Sequence, residues 1–116
     1  MPYIQLVEFD SRHPVDEVRS AMDTWLDATQ GQRALRMAVV ATDHDRSNHY
    51  WELLEFASEK DAAKNAELPE TKAAYESWSR LLDGEPTFHN LDVVEQVGVE
   101  ESPSPGLAAW RTPGGG

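Results

Sequence analysis

The sequence predicts an α+β domain: one four-stranded antiparallel sheet with its helices on one face. Three observations lead there. Four short segments, residues 3–9, 35–42, 49–56 and 87–97, are rich in β-branched and aromatic residues and bounded by turn-forming clusters. Residues 15–29 and 70–82 instead repeat their apolar positions every three or four residues, the period of a helix with one buried side. A chain of 116 residues is also long enough for one core and too short for two.

Residues 3–9 (YIQLVEF) form the first strand, which stops at the turn cluster Asp10-Ser11-Arg12-His13-Pro14. Pro14 opens a helix whose apolar stripe is Val15, Val18, Met22, Trp25, Leu26 and Thr29. Asp16 and Glu17 occupy the first turn, where the helix dipole favours acids, and Gly31 ends it. Trp25 reads as a core residue that could also wall a pocket.

Residues 35–42 and 49–56 pair as a hairpin across the polar loop of residues 43–48. With Thr42 opposite His49, one face holds Leu35, Met37, Val39 and Ala41 with Tyr50, Glu52, Leu54 and Phe56. The third strand is apolar on both faces, so it needs cover on both sides. Asp43, His44 and Asp45 have the donor types of a metal site, but a solvated charged turn explains the same residues and no second spaced cluster supports it, so no metal is expected.

Ser58 with Asp61 is a helix start, and the helix runs to Leu68-Pro69, where proline breaks it. After Glu70 a second helix carries Ala74, Tyr75, Trp78, Leu81 and Leu82 on one stripe and stops at Asp83-Gly84. Residues 87–97 make the last strand. A domain of residues 1–97 is thus followed by a Pro-, Ser- and Gly-rich tail over 98–116, in which Trp110 is a candidate anchor for docking on a neighbouring subunit.

The order strand, helix, strand, strand, short helix plus helix, strand is the ferredoxin-like pattern. Its uncovered sheet face would expose more apolar surface than the few hundred Å² a monomer tolerates, so a homodimer packed sheet to sheet is expected. Asp and Glu number 21 against 10 Lys and Arg, a net charge of -11 that disfavours nucleic acid and anionic membrane as partners. There is no cysteine for disulfides or thiolate metal sites, and no stretch nears the roughly 18 apolar residues of a membrane span. The N-terminus Met1-Pro2-Tyr3-Ile4 lacks a basic leader, and a cytoplasmic protein is expected.

The element order, the strand end Glu52-Leu53-Leu54-Glu55-Phe56 running into Ala57-Ser58-Glu59-Lys60-Asp61-Ala62-Ala63, and the following Asn65-Ala66-Glu67-Leu68-Pro69 resemble the dimeric α+β barrel superfamily. Within it, residues 3–97 are similar to small proteins of the antibiotic biosynthesis monooxygenase type. The resemblance implies a homodimer with a pocket between sheet and helices in each subunit. It also implies an activity among cofactor-independent monooxygenases of aromatic polyketides, haem-degrading enzymes and proteins of unknown role. Haem-degrading members carry a Trp at the end of the third strand and a His on the next helix. Here those positions are Phe56 and Asn65, which argues against haem and leaves a cofactor-free reading.

Glu52 is the sharpest catalytic candidate, because among apolar neighbours its carboxyl would be desolvated and its pKa raised towards that of a general base. Such a base could deprotonate a phenol, and the anion could react with oxygen directly. Equally, Glu52 could pair with Arg36 or Arg33, or lie at a dimer rim. His89 is a second catalytic candidate, as a proton shuttle. Tyr50, Phe56, Asn65, Trp78 and Asn90 are candidates to bind a small apolar or aromatic molecule, although His89 and Trp78 also suit a core. His13 and His49, near strand ends, are expected to be solvated. No Gly-x-Ser-x-Gly elbow supports a hydrolase.

Three functions compete: a cofactor-independent monooxygenase, a non-catalytic binding or accessory homodimer, and a pure assembly protein. An open pocket of about 300 Å³ or more with a buried acid favours chemistry, and a sealed core favours scaffolding.

Overall fold

A computed structural model describes residues 1–99. The tail expected over 98–116, with Trp110, lies outside the described residues from 100 onward. In chain order the elements are β1 (Tyr3–Asp10), α1 (Val15–Ala28), β2 (Leu35–Thr42), β3 (His49–Phe56), α2 (Glu59–Glu67), α3 (Pro69–Ser79) and β4 (Thr87–Asp92). The sheet order is β2-β3-β1-β4 with every neighbouring pair antiparallel, the expected ferredoxin-like α+β arrangement.

Local chemistry sets the element ends. Ser58 Oγ accepts the Asp61 backbone N–H at 3.1 Å and caps α2. Leu68 is at once the last cap of α2 and the first of α3, because Pro69 cannot continue one helix but suits the first position of the next. Past α1, the buried Thr29 hydroxyl donates to the Trp25 carbonyl at 2.8 Å, and Gly31 takes the left-handed φ of +82° that releases the chain.

Strand alternation sends Val7 and Phe9 of β1 and Tyr50 of β3 towards the helices, where they form the core with Val18 of α1. Phe9 stacks on Tyr50 at 5.3 Å and meets Trp78 of α3 edge-on at 5.0 Å. Behind that contact, Ser11 Oγ donates to the Leu81 carbonyl at 2.6 Å and tethers the end of α3 to the end of β1. The expected stripe of α1 buries Val18, Met22, Trp25 and Thr29, whereas Val15 is exposed.

Three expectations are corrected. The hairpin pairs Thr42 with Tyr50, not with His49, so Ala38 and Val40 share a face with Leu54 and Glu52, while Met37 and Val39 lie across from Glu55 and Leu53 on the other face. The register is one residue off the expected one, and the Asp43 N–H meets the His49 carbonyl at 2.8 Å where the hairpin closes. β4 ends at Asp92 rather than at residue 97, since Asp92 already pairs with Tyr3, the first residue of β1, and beyond it there is no strand to pair with. Finally, α3 buries none of its residues fully and ends at Ser79, leaving Leu82 to reach the core from the turn that follows.

Because Phe9 is 2% exposed and joins both Tyr50 and Trp78, Phe9→Ala should lower the unfolding free energy by about 3–5 kcal/mol. Urea titration measures this directly, and a loss below about 1 kcal/mol would place the core elsewhere.

Candidate functional site

The floor of the site is built from rows of side chains across three strands. Val7 lies between Glu52 and Phe88, and Gln5 between Leu54 and Asn90. All six face the helices, since pairing partners share a side of the sheet. Above this floor α1 brings Met22 and Trp25, α2 brings Asn65, and α3 brings Thr71, Tyr75 and Trp78. Between floor and helices is a cavity of about 390 Å³. Six aromatic residues line it: Tyr3, Trp25, Phe56, Tyr75, Trp78 and Phe88. Its wall is clasped where Trp25 Nε1 donates to Thr71 Oγ1 at 3.0 Å and joins α1 to α3.

Among the described residues, the buried side-chain polar atoms without a hydrogen-bond partner are Glu52 Oε2, Asn65 Oδ1 and Trp78 Nε1. All three residues line this cavity. A groove of about 560 Å³ between α1 and α3 is larger, but none of those three residues lines it. Buried polar atoms are nearly always paired within a fold, so three orphans on residues around one cavity set it apart from the rest of the core.

Glu52 is 7% exposed. Its burial pushes the pKa up from 4.5 to about 7, opposed only by the nearby Trp78 indole N–H. That N–H lowers the pKa without closing a hydrogen bond, since neither group has a partner at bonding geometry. The basic partners expected for Glu52 go elsewhere: Arg36 meets Glu55 at 3.7 Å, and Arg33 donates to the Leu26 carbonyl at 2.6 Å. Nearer the cavity edge, Gln5 Nε2 donates to Asn90 Oδ1 at 3.3 Å. The Tyr3 hydroxyl is raised above its ordinary pKa by burial, then by the charges of Glu59 and Asp92.

Of the residues singled out in sequence, Glu52, Phe56, Asn65, Trp78 and Asn90 meet around this cavity. Tyr50 does not line it: the ring is buried under Phe9, and its hydroxyl reaches the His13 carbonyl at 3.5 Å. His89 is separated from Glu52 by the sheet itself, because it pairs with Leu6, whose side chain points away from the helices. There His89 Nε2 bonds Glu8 Oε2 at 2.8 Å. His49, expected in solvent, is instead 4% exposed and held between Asp10 Oδ1 at 2.7 Å and Glu8 Oε1 at 3.0 Å. The His89 bond, helped by His49, holds the Glu8 carboxyl below its ordinary pKa against the opposing effect of burial. Asp43 organises its own loop by accepting the backbone N–H groups of Asp45 and Arg46 and the Trp51 indole N–H at 2.8 Å.

Gln5, Met22, Thr71, Tyr75 and Phe88 were missed as cavity residues. For Phe88 a signal existed, since it shares the strand face of Asn90. For the helical residues there was none, because a wall residue and a core residue have the same periodicity.

No protein-family model matches the chain, and neither does any curated protein sequence. Solved structures do. The fold is similar to that of SnoaB, a cofactor-independent oxygenase from Streptomyces nogalater, at TM-score 0.70 and 9% identity over 83% of this chain and 96% of that one. A proposed antibiotic biosynthesis monooxygenase from Caulobacter crescentus aligns at TM-score 0.71 and 14% identity over 81% and 91% of the two chains. Another from Nitrosomonas europaea aligns at 0.67 and 11% over 84% and 94%. The chain therefore has the fold of the antibiotic biosynthesis monooxygenase-like proteins, as its strand and helix order led us to expect.

The raised pKa of Glu52 links the site to stability. Unfolded, the carboxyl ionises near 4.5, and folded only near 7. As pH climbs through that window the unfolded chain ionises first, so stability falls by on the order of 3 kcal/mol and then levels off. Glu52→Gln removes this loss, and its melting temperature should exceed the wild type's at about pH 8 and lose that advantage near pH 4. A difference that does not vary with pH would mean that Glu52 is solvated or paired.

Proposed function

We propose that this chain is a small-molecule enzyme, a monooxygenase working without a cofactor on an aromatic or polyketide-like molecule held between sheet and helices, with Glu52 as general base. One observation carries the reading: a buried carboxyl without a partner, its pKa near 7, opens into a cavity lined by six aromatic residues. The likeness of the fold to a cofactor-independent oxygenase supports it.

In this reading the aromatic walls, Phe56 and Trp78 among them, hold a flat phenol with its hydroxyl at Glu52. Glu52 takes the phenolic proton, an efficient transfer because its pKa lies near neutral pH. The Trp78 N–H donates to the oxygen where negative charge develops, Asn65 Oδ1 accepts from a second substrate hydroxyl, and Asn90 fixes the far edge. The electron-rich ring then gives an electron to dioxygen, and the two radicals join through a new C–O bond. Loss of water from the resulting peroxide leaves a carbonyl. Phenol plus dioxygen becomes quinone plus water: the ring loses two hydrogens, one oxygen atom enters it, and the other leaves as water. Glu52 returns its proton to the departing oxygen.

A homodimer is part of the same reading. The sheet face away from the helices carries Ile4, Leu6 and Leu53, with Met37, Val39 and Leu91 exposed by 42–44%. A second copy laid face to face would cover them.

Glu52→Gln should lower turnover of a phenolic substrate by about 10²-fold or more while the protein stays folded, and oxygen uptake with product analysis measures it. Saturable binding with no product from the wild type would favour a non-catalytic binder, and undiminished turnover in the variant would remove Glu52 from the mechanism. For the dimer, sedimentation should find twice the chain mass at micromolar concentration, and Leu53→Arg should halve it.

A further inference from the structure

We infer that the cavity selects its ligand by charge, taking a flat aromatic molecule whose polar end is uncharged or protonated and rejecting one that carries a carboxylate or phosphate. This rests on the reading of the cavity as the substrate site and adds what that reading leaves open: which aromatic molecules can enter.

The lining supplies the argument. It contains two carboxylates, Glu52 within and Glu59 on α2, and no Lys, Arg or His among its described residues. Tyr3 is harder to ionise first through burial, and Glu59 and Asp92 add to it with their charges. The arginines expected beside Glu52 are engaged elsewhere, Arg36 with Glu55 and Arg33 with the Leu26 carbonyl. An anionic ligand would therefore leave water without gaining an opposite charge. The aromatic rings act in the same direction, because their faces carry negative density and attract cations. The unpaired polar atoms on lining residues, Glu52 Oε2, Asn65 Oδ1 and Trp78 Nε1, suit a hydroxyl, a carbonyl or an amine, none of which needs a counter-ion.

The selection fits the chemistry. A substrate that must be neutral to enter still carries the proton that Glu52 is placed to remove, and it becomes an anion only once inside the cavity.

Three naphthalene probes of matched size test this: naphthol, naphthylmethylamine and naphthoate, titrated against tryptophan fluorescence at about pH 8, where Glu52 is ionised. Naphthol and the protonated amine should bind, and naphthoate about tenfold more weakly or worse. In Glu52→Gln, naphthoate should gain on the amine by a similar factor. Equal affinity for naphthoate and naphthol in the wild type overturns the inference, as does a naphthoate-to-amine ratio that Glu52→Gln leaves unchanged. Those outcomes leave the general-base role standing. Conversely, full turnover by Glu52→Gln, with naphthoate the weakest ligand of the wild type and gaining on the amine in the variant, removes the general base and leaves the selection in place.

Discussion

A carboxyl held out of water with nothing to pair with is the constraint around which this domain is arranged. Glu52 sits on β3, which is flanked by β2 on one side and β1 on the other, so its backbone cannot move the side chain towards solvent. Val7 and Val40 lie beside it in register and offer no hydrogen bond. The deficit, on the order of 3 kcal/mol at neutral pH, is a large share of the 5–15 kcal/mol typical of a small domain. The packing of Phe9, Val18 and Tyr50 at the other end of the same sheet face must offset it.

β1 connects the two ends. Towards the helices it gives Tyr3, Gln5 and Val7 to the cavity and Phe9 to the core. Its opposite face gives Glu8, which receives both His49 and His89, and Asp10, which receives His49. The sheet thus separates two kinds of polar chemistry. On one face, residues with orphan polar atoms line an open space. On the other, carboxylates and imidazoles are matched, so that side has its polar groups engaged with one another and its aliphatic residues uncovered.

The third helix gives the cavity its character. None of its residues is fully buried, yet it supplies Thr71, Tyr75 and Trp78 to the wall. It is held by a few specific contacts: Thr71 with Trp25, Trp78 with Phe9, and the Leu81 carbonyl with Ser11 just beyond its end. A helix packed flat on the sheet would have filled the space with its own side chains. One held at its edges leaves room.

The chain order of strands and helices, their approximate limits, the Ser58 cap and the break at Pro69 were legible in the sequence, because alternation, helical period and capping depend on residues within a few positions of one another. So was the singling out of Glu52, an acid inside an apolar strand. Sequence could not decide whether Arg36 or Arg33 would neutralise it, nor that His89, three elements further on, would fall on the opposite face. A one-residue change of register exchanges the two faces of a strand, and here the hairpin closes with Thr42 opposite Tyr50 and the Asp43 N–H on the His49 carbonyl at 2.8 Å. Whether Trp25 and Trp78 fill a core or wall a cavity was likewise undetermined by spacing, since both present the same helical stripe. Only the tilt of packed elements in three dimensions sets the distance between them, and that distance made the cavity.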